Sequence, residues 1–300
     1  MKQNGFLAKL CLFVATIIWG TTFFIMEGTI ENIGVFTLLA IRFTVAAVIL
    51  AVVLWKRLHN IDKTYILQGF ILGSLIIVAY SFQTFGLADE ATTPGKNAFL
   101  TAIYCVLVPF MAWAFTKEKP DKYNIIAAIL GIFGITLISV SGNDFSSICA
   151  GDFLTLLGGI FFGVHMVAVP AFSKNKDVLL LTVLQFFFSG LLAWFPALTM
   201  ETFPTNLPTE SAASILYLAV FATCACYLMQ NVGQKHTKPA AASLILSLEA
   251  VFGVIFSVIF TKEEISLRVL TGFIIVFLAV LISEIKPFKN AKTNGDAKKV

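Results

Sequence analysis

The tetrapeptide FTKE occurs twice, at Phe115–Glu118 and at Phe260–Glu263, and each copy closes a long apolar run where it meets a charged loop. Four matching residues in a chain of 300 decide nothing alone, so the surroundings must decide. Pro94 opens the run that ends in the first copy, and Pro239 opens the run that ends in the second. One run earlier, YSFQ at Tyr80–Gln83 matches YLMQ at Tyr227–Gln230. Nearer the front, IRF at Ile41–Phe43 faces LQF at Leu184–Phe186, and Trp19-Gly20 faces Phe162-Gly163. Beyond FTKE, LIS recurs at Leu137–Ser139 and Leu281–Ser283. The matches keep their order with only small shifts in spacing, which reads as duplication of one unit.

The composition says where that unit lives. Hydrophobic residues make up 58% of the chain and charged residues 13%, with a mean hydropathy of +0.89. Soluble domains carry roughly 45–50% apolar and about 25% charged residues. A surplus of this size cannot be hidden inside a globule and must face lipid. Runs long enough to cross a bilayer as helices fall at Phe6–Met26, Val35–Trp55, Tyr65–Leu87, Gly95–Thr116 and Tyr123–Ser141. The second unit supplies Phe153–Phe172, Val178–Leu198, Ala212–Val232, Pro239–Phe260 and Leu267–Glu284. They are continuous rather than alternating, which excludes barrel strands. The fold expected is an all-α integral membrane protein of about ten transmembrane helices.

Five helices per unit is an odd number, so the second copy must enter the membrane upside down. Two inverted five-helix repeats, 1–147 and 148–285, form the architecture that exposes one site alternately to each side. Residues 286–300 form a Lys-rich polar tail, read as disordered against the anionic leaflet. Basic residues alternate between loops. Lys2 and Lys9, Lys56 to Lys63, Lys117 to Lys122, Lys174 and Lys176, Lys235 and Lys238, and the tail form one set, against only Lys96, Lys262 and Arg268 on the other. The positive-inside rule then puts both termini in the cytoplasm, with the protein in the plasma (inner) membrane.

Several function classes find no support. The net charge of +4 is scattered over loops, so no nucleic-acid patch exists. Cys11, Cys105, Cys149, Cys224 and Cys226 lack metal-site spacing and read as small apolar fillers. No metallopeptidase, nucleophile-elbow or phosphate-loop motif occurs, so neither an enzyme nor a cofactor is expected. Without a nucleotide site, uphill movement of a solute would draw on an ion gradient or on the solute's own.

WGTTFFIME in the first span, LLAIRFTVAAVIL in the second and NAFLTAIYCVLVPFMAWAFTKEKP in the fourth resemble the drug/metabolite transporter superfamily, EamA type. So does LILSLEAVFGVIFSVIFTKEE in the ninth. The resemblance covers essentially the whole chain up to the tail. It implies a ten-helix carrier of small metabolites, with export as the direction and a path lined by spans one, three, four, six, eight and nine. Two residues depart from the family pattern: Glu27 stands where the first motif often ends in Lys, and Ala250 where the ninth-span motif has proline. Loss of that proline predicts a straighter ninth helix.

Ionisable residues inside lipid are costly and therefore candidates for function. Glu249 aligns with Tyr104 when FTKE fixes the register. Asn97, Thr101 and Tyr104 share one face of the fourth helix, so Glu249 is expected to face the bundle. It could bind a substrate amine, carry a proton, or tie two helices together. His165 could relay a proton or simply be bonded within the bundle. Arg42 reads as a structural intramembrane charge within snorkelling reach of the outer end. Tyr80 with Gln83 and Tyr227 with Gln230 are i, i+3 pairs suited to hydrogen bonding. Trp19, Thr22, Phe23 and Phe24 fit a cavity wall. The partners expected are a small-molecule substrate, amino acids first, a possible coupling proton, and the bilayer. An uncoupled facilitator or channel for neutral metabolites is the alternative.

Overall fold

The computed structural model describes residues 2–117, 119–139, 149–174, 176–236 and 245–285. Within them the chain is helical: α1 (Lys2–Ile30), α2 (Val35–Val53), α3 (Lys63–Leu87), α4 (Pro94–Thr101), α5 (Tyr104–Thr116) and α6 (Lys122–Ser139). Then follow α7 (Ala150–Ser173), α8 (Val178–Met200), α9 (Thr209–Tyr217), α10 (Cys226–His236), α11 (Leu248–Phe260) and α12 (Leu267–Ile285). A π-helical segment, Leu218–Ala225, joins α9 to α10. Among the described residues, eight helical stretches are long and apolar enough to cross a bilayer, and α11 and α12 supply two shorter apolar helices. The molecule is an all-α membrane protein of about ten helices. Its outer face is built for lipid: Ile129, Ile132, Phe195, Leu198 and Met200 are each more than 60% exposed. Glu118, Pro239, Ala242, Ser243 and the tail from 286 lie outside the described residues.

Packing follows the duplication. Helix α2 packs on α8, α4 on α11 and α6 on α12; α3 packs on α7 and α8, and α1 on α10 and α11. Exchanging the first five spans for the last five leaves this pattern unchanged. The α3–α7 contact becomes α10–α1, α5–α7 becomes α11–α1, and α3–α8 becomes the contact of the π segment with α2. Such invariance is what a twofold relation between two copies produces. Small residues set the closest approaches. A Cβ on Gly134 would lie 3.0 Å from the Gly272 carbonyl oxygen, and one on Gly272 would lie 2.9 Å from the Gly134 oxygen, so α6 and α12 touch backbone to backbone.

The fourth span is not one helix. At Ala102–Ile103 its bonds tighten from i−4 to i−3, with the Ile103 N–H donating to Leu100 O and the Cys105 N–H to Ala102 O at 3.0 Å. Pro109, one turn on, has no N–H to give to the Cys105 carbonyl. The ninth span breaks at the aligned position, Ser247, where the Ala250 N–H donates to Ser247 O at 3.3 Å. The straighter ninth helix expected from Ala250 is therefore wrong. That expectation took proline for the cause, whereas the break follows position in the repeat and forms without one.

The FTKE copies also share a conformation. Lys117 (φ 59°) and Lys262 (φ 57°) are the described non-glycine residues with positive φ, each just past a helix end, where a left-handed residue turns the chain out of the helix. The turn after Lys262 delivers Glu263 to the start of α4. Its carboxylate accepts from the Gly95 N–H at 3.0 Å and from the Thr93 and Ser257 hydroxyls. Glu201 serves α2 likewise, accepting from the Phe36 and Thr37 N–H groups at 2.8 Å each. Both carboxylates meet the positive end of a helix dipole and satisfy N–H groups that have no partner within the helix. At the opposite end of α3, the Tyr65 N–H holds the Asp62 carboxyl below the usual carboxylate range, helped by Lys176.

Glu263→Ala strips three donors of their acceptor and should lower stability by about 2–3 kcal/mol, read as a fall in thermal midpoint in detergent. The exposed neighbour supplies the control: Glu264→Ala should leave the midpoint unchanged.

Candidate functional site: a cavity between the two copies

The two helix breaks open onto one cavity, whose empty space is about 510 Å³ when the open solvent at its mouth is included. Its walls come from α1, α3, α4 and α5 of the first copy and from α7, α10, α11 and the turn before α11 of the second. The fourteen lining residues fall into seven pairs related by the duplication: Trp19 with Phe162, Thr22 with His165, Phe23 with Met166, Tyr80 with Tyr227, Gln83 with Gln230, Thr101 with Leu246, and Tyr104 with Glu249. No lining residue lacks its repeat partner. The cavity therefore lies where the copies meet, and each copy supplies the same seven positions.

Most of the donors in the wall are spent on the wall itself. The Trp19 indole N–H donates to Ala222 O at 2.7 Å, and the Thr22 hydroxyl to Trp19 O at 2.7 Å. The Gln83 amide donates to Thr101 Oγ1 at 3.1 Å, and the Tyr227 hydroxyl to the Tyr80 hydroxyl at 3.4 Å. Behind Tyr80 sits Arg42, fully buried. Its guanidinium donates to Thr223 Oγ1, to Met26 Sδ at 3.5 Å and to Tyr80 Oη at 3.3 Å, and lies 4.5 Å from the centre of the Tyr80 ring. Arg42 thus anchors α2 to α1, α3 and the π segment. The expected snorkelling does not occur, because the side chain runs into the bundle, where a hydroxyl, a sulfur and an aromatic face receive it. In the second copy the aligned residue, Gln185, sets its Oε1 3.1 Å from His165 Nε2, within hydrogen-bond distance.

Nine of the ten residues singled out for the pathway line this cavity: Trp19, Tyr80, Gln83, Thr101, Tyr104, His165, Tyr227, Gln230 and Glu249. Asn97 does not. Its amide donates to Gln83 O at 3.1 Å and Thr155 Oγ1 at 2.7 Å, so it positions Gln83 and α7 from behind. Because the break lies between Thr101 and Tyr104, the single face drawn through all three residues does not hold. Phe24 also points elsewhere, stacking on Phe260 at 4.6 Å. Met166 went unnamed in the sequence, although pairing with Phe23 could have found it. A buried ion pair was missed too. Lys96 Nζ lies 2.7 Å from Asp152 Oδ2, and the Asp152 side chain is wholly buried. Lys96 was counted among the loop cations, and Asp152, just before an apolar run, was not singled out.

A bundle of apolar helices around a wall-bonded, two-copy cavity is the build of a membrane transporter, and similarity to known proteins agrees. The EamA-like transporter family model matches residues 6–140 and again 150–284, and the chain belongs to that family. An uncharacterized transporter of Archaeoglobus fulgidus is 30% identical, over 93% of this chain and 86% of its own. The protein PecM of Dickeya dadantii is 24% identical over 93% of each chain. The uncharacterized inner membrane transporter YedA of Escherichia coli is 24% identical over 91% of this chain and 89% of its own. One protein crystal structure superposes with a TM-score of 0.68 at 13% identity, over 93% of this chain and 96% of that one, which bears on the fold alone. The family and the Archaeoglobus and Escherichia relatives carry the names of transporters, not of enzymes.

Trp19→Phe makes this one pair of wall positions alike but leaves the Ala222 carbonyl without its indole donor. It should destabilise the protein by about 1–2 kcal/mol, measured as a lowered thermal midpoint in detergent.

Proposed function

We propose that this protein is a secondary carrier that moves a small amphipathic metabolite, amino acids first, by alternating access of one cavity to the two sides of the membrane. The observation that carries the reading is the sevenfold pairing of the cavity wall. If the two copies sit inverted in the bilayer, each set of seven positions faces one side, and exchanging the conformations of the copies would exchange the open side. The paired breaks at Ala102–Ile103 and Ser247 lie at the cavity, where a carrier needs helices that can move in halves. A wall of hydroxyl, amide and aromatic groups around one carboxylate suits a small, weakly charged solute. Loop charge favours cytoplasmic termini, and the relative named as an inner membrane transporter favours that membrane. Export rests on family resemblance.

Glu249 is the residue on which coupling would turn, as a site for the substrate amine or for a proton. Uptake of labelled amino acids into proteoliposomes, with and without an imposed pH gradient, tests the reading. Saturable uptake accelerated by the gradient, and cut at least tenfold in Glu249→Gln at unchanged membrane insertion, is the expected result. Saturable uptake indifferent to the gradient and to the substitution would instead mean an uncoupled facilitator.

A further inference from the structure

The cavity wall is electrically one-sided. Among the described residues, Glu249 is its one carboxylate, and no lysine or arginine lines it. Six of the fourteen positions are aromatic: Trp19, Phe23, Tyr80, Tyr104, Phe162 and Tyr227. Among the described residues the Glu249 side chain has no hydrogen-bond or ion-pair partner, whereas Arg42 is sealed behind Tyr80 with all three of its nitrogens engaged.

Each class of ligand meets a different balance here. An ammonium group would gain the Glu249 carboxylate and the faces of several rings, all in surroundings drier than water. A carboxylate would lose its hydration, find no cation on the wall and stand in the field of Glu249. A neutral isostere would keep the apolar contacts and gain nothing further. On the reading that this cavity is the transport site, we propose that it selects its substrate by a cationic amine on an apolar body, and that the carboxylate of an amino acid is dispensable. The substrate class is then broader than amino acids: primary amines and amino-acid amides belong to it, and N-acylated amino acids do not.

Equilibrium binding to the purified, detergent-solubilised protein tests this without any gradient. Four probes share one phenyl body: 2-phenylethylamine (cation), phenylalanine (zwitterion), N-acetylphenylalanine (anion) and 2-phenylethanol (neutral). The amine should bind at least as tightly as phenylalanine and about tenfold or more tighter than the alcohol, a cation–carboxylate and cation–π increment, with the anion weakest. Glu249→Gln, which keeps the side-chain shape, should bring the amine and the alcohol within about twofold of each other. Binding of the anion as tight as that of the amine, an amine preference that survives Glu249→Gln, or binding of none of the four would each overturn the proposal. Flux separates it from the carrier reading. Glu249-dependent amine binding with no transport of any amine defeats the carrier and leaves the selectivity standing. Transport of N-acetylphenylalanine with no effect of Glu249→Gln does the reverse.

Discussion

In hydrocarbon there is no water to satisfy a backbone N–H or C=O, so every such group must find its partner within the protein. Everything distinctive in this molecule answers to that constraint. Uninterrupted helices such as α2 and α3 meet it by themselves along their length and can face lipid. Breaks at Ala102–Ile103 and Ser247 and the wide turns of Leu218–Ala225 loosen the ladder, and all three lie within the bundle. Irregular backbone and cavity are therefore one feature. The cavity exists where helices are interrupted, and the helices can be interrupted there because neighbouring helices surround them.

The same constraint explains the polar groups. Several buried hydroxyls are tied down: Thr155 donates to Gly151 O and Ser189 to Gln185 O, each four residues back in its own helix. Helix starts are finished by carboxylates that arrive from distant loops, Glu201 for α2 and Glu263 for α4. Arg42 is the most demanding case, a full charge with no exposed surface, received by a hydroxyl, a sulfur and a tyrosine. Among the described residues the Glu249 carboxylate lacks a partner, and unlike Thr84 Oγ1 or Ser139 Oγ, which lack one too, it lines the cavity, so the selectivity proposal rests on it.

Much of this was legible in the sequence, because a duplicated chain reports each of its positions twice. Aligning YSFQ with YLMQ and one FTKE with the other located the positions that later proved to share a cavity, before any contact was known. What stayed hidden was what one-dimensional periodicity cannot carry. A helix break caused by packing leaves no residue signal, and reasoning from proline alone misread Ala250. Lys96 was counted as a loop charge and Asp152 passed over, because their pairing depends on α4 and α7 lying side by side. Arg42 was expected to reach for water, since the sequence does not disclose that Thr223, on the π segment, is there to receive it.

The π segment has one more consequence. It belongs to the second copy alone; the corresponding stretch of α3 is regular α-helix. Through it Trp19 is fastened to Ala222, a fastening that Phe162, with no N–H, cannot mirror. If the copies alternate as proposed, two identical ones would give a molecule with two end states of equal energy, a balanced see-saw. This one would then carry a weight on one arm. Left in a bilayer with no gradient and no solute, it would have a preferred posture, and any cycle would begin by lifting it out.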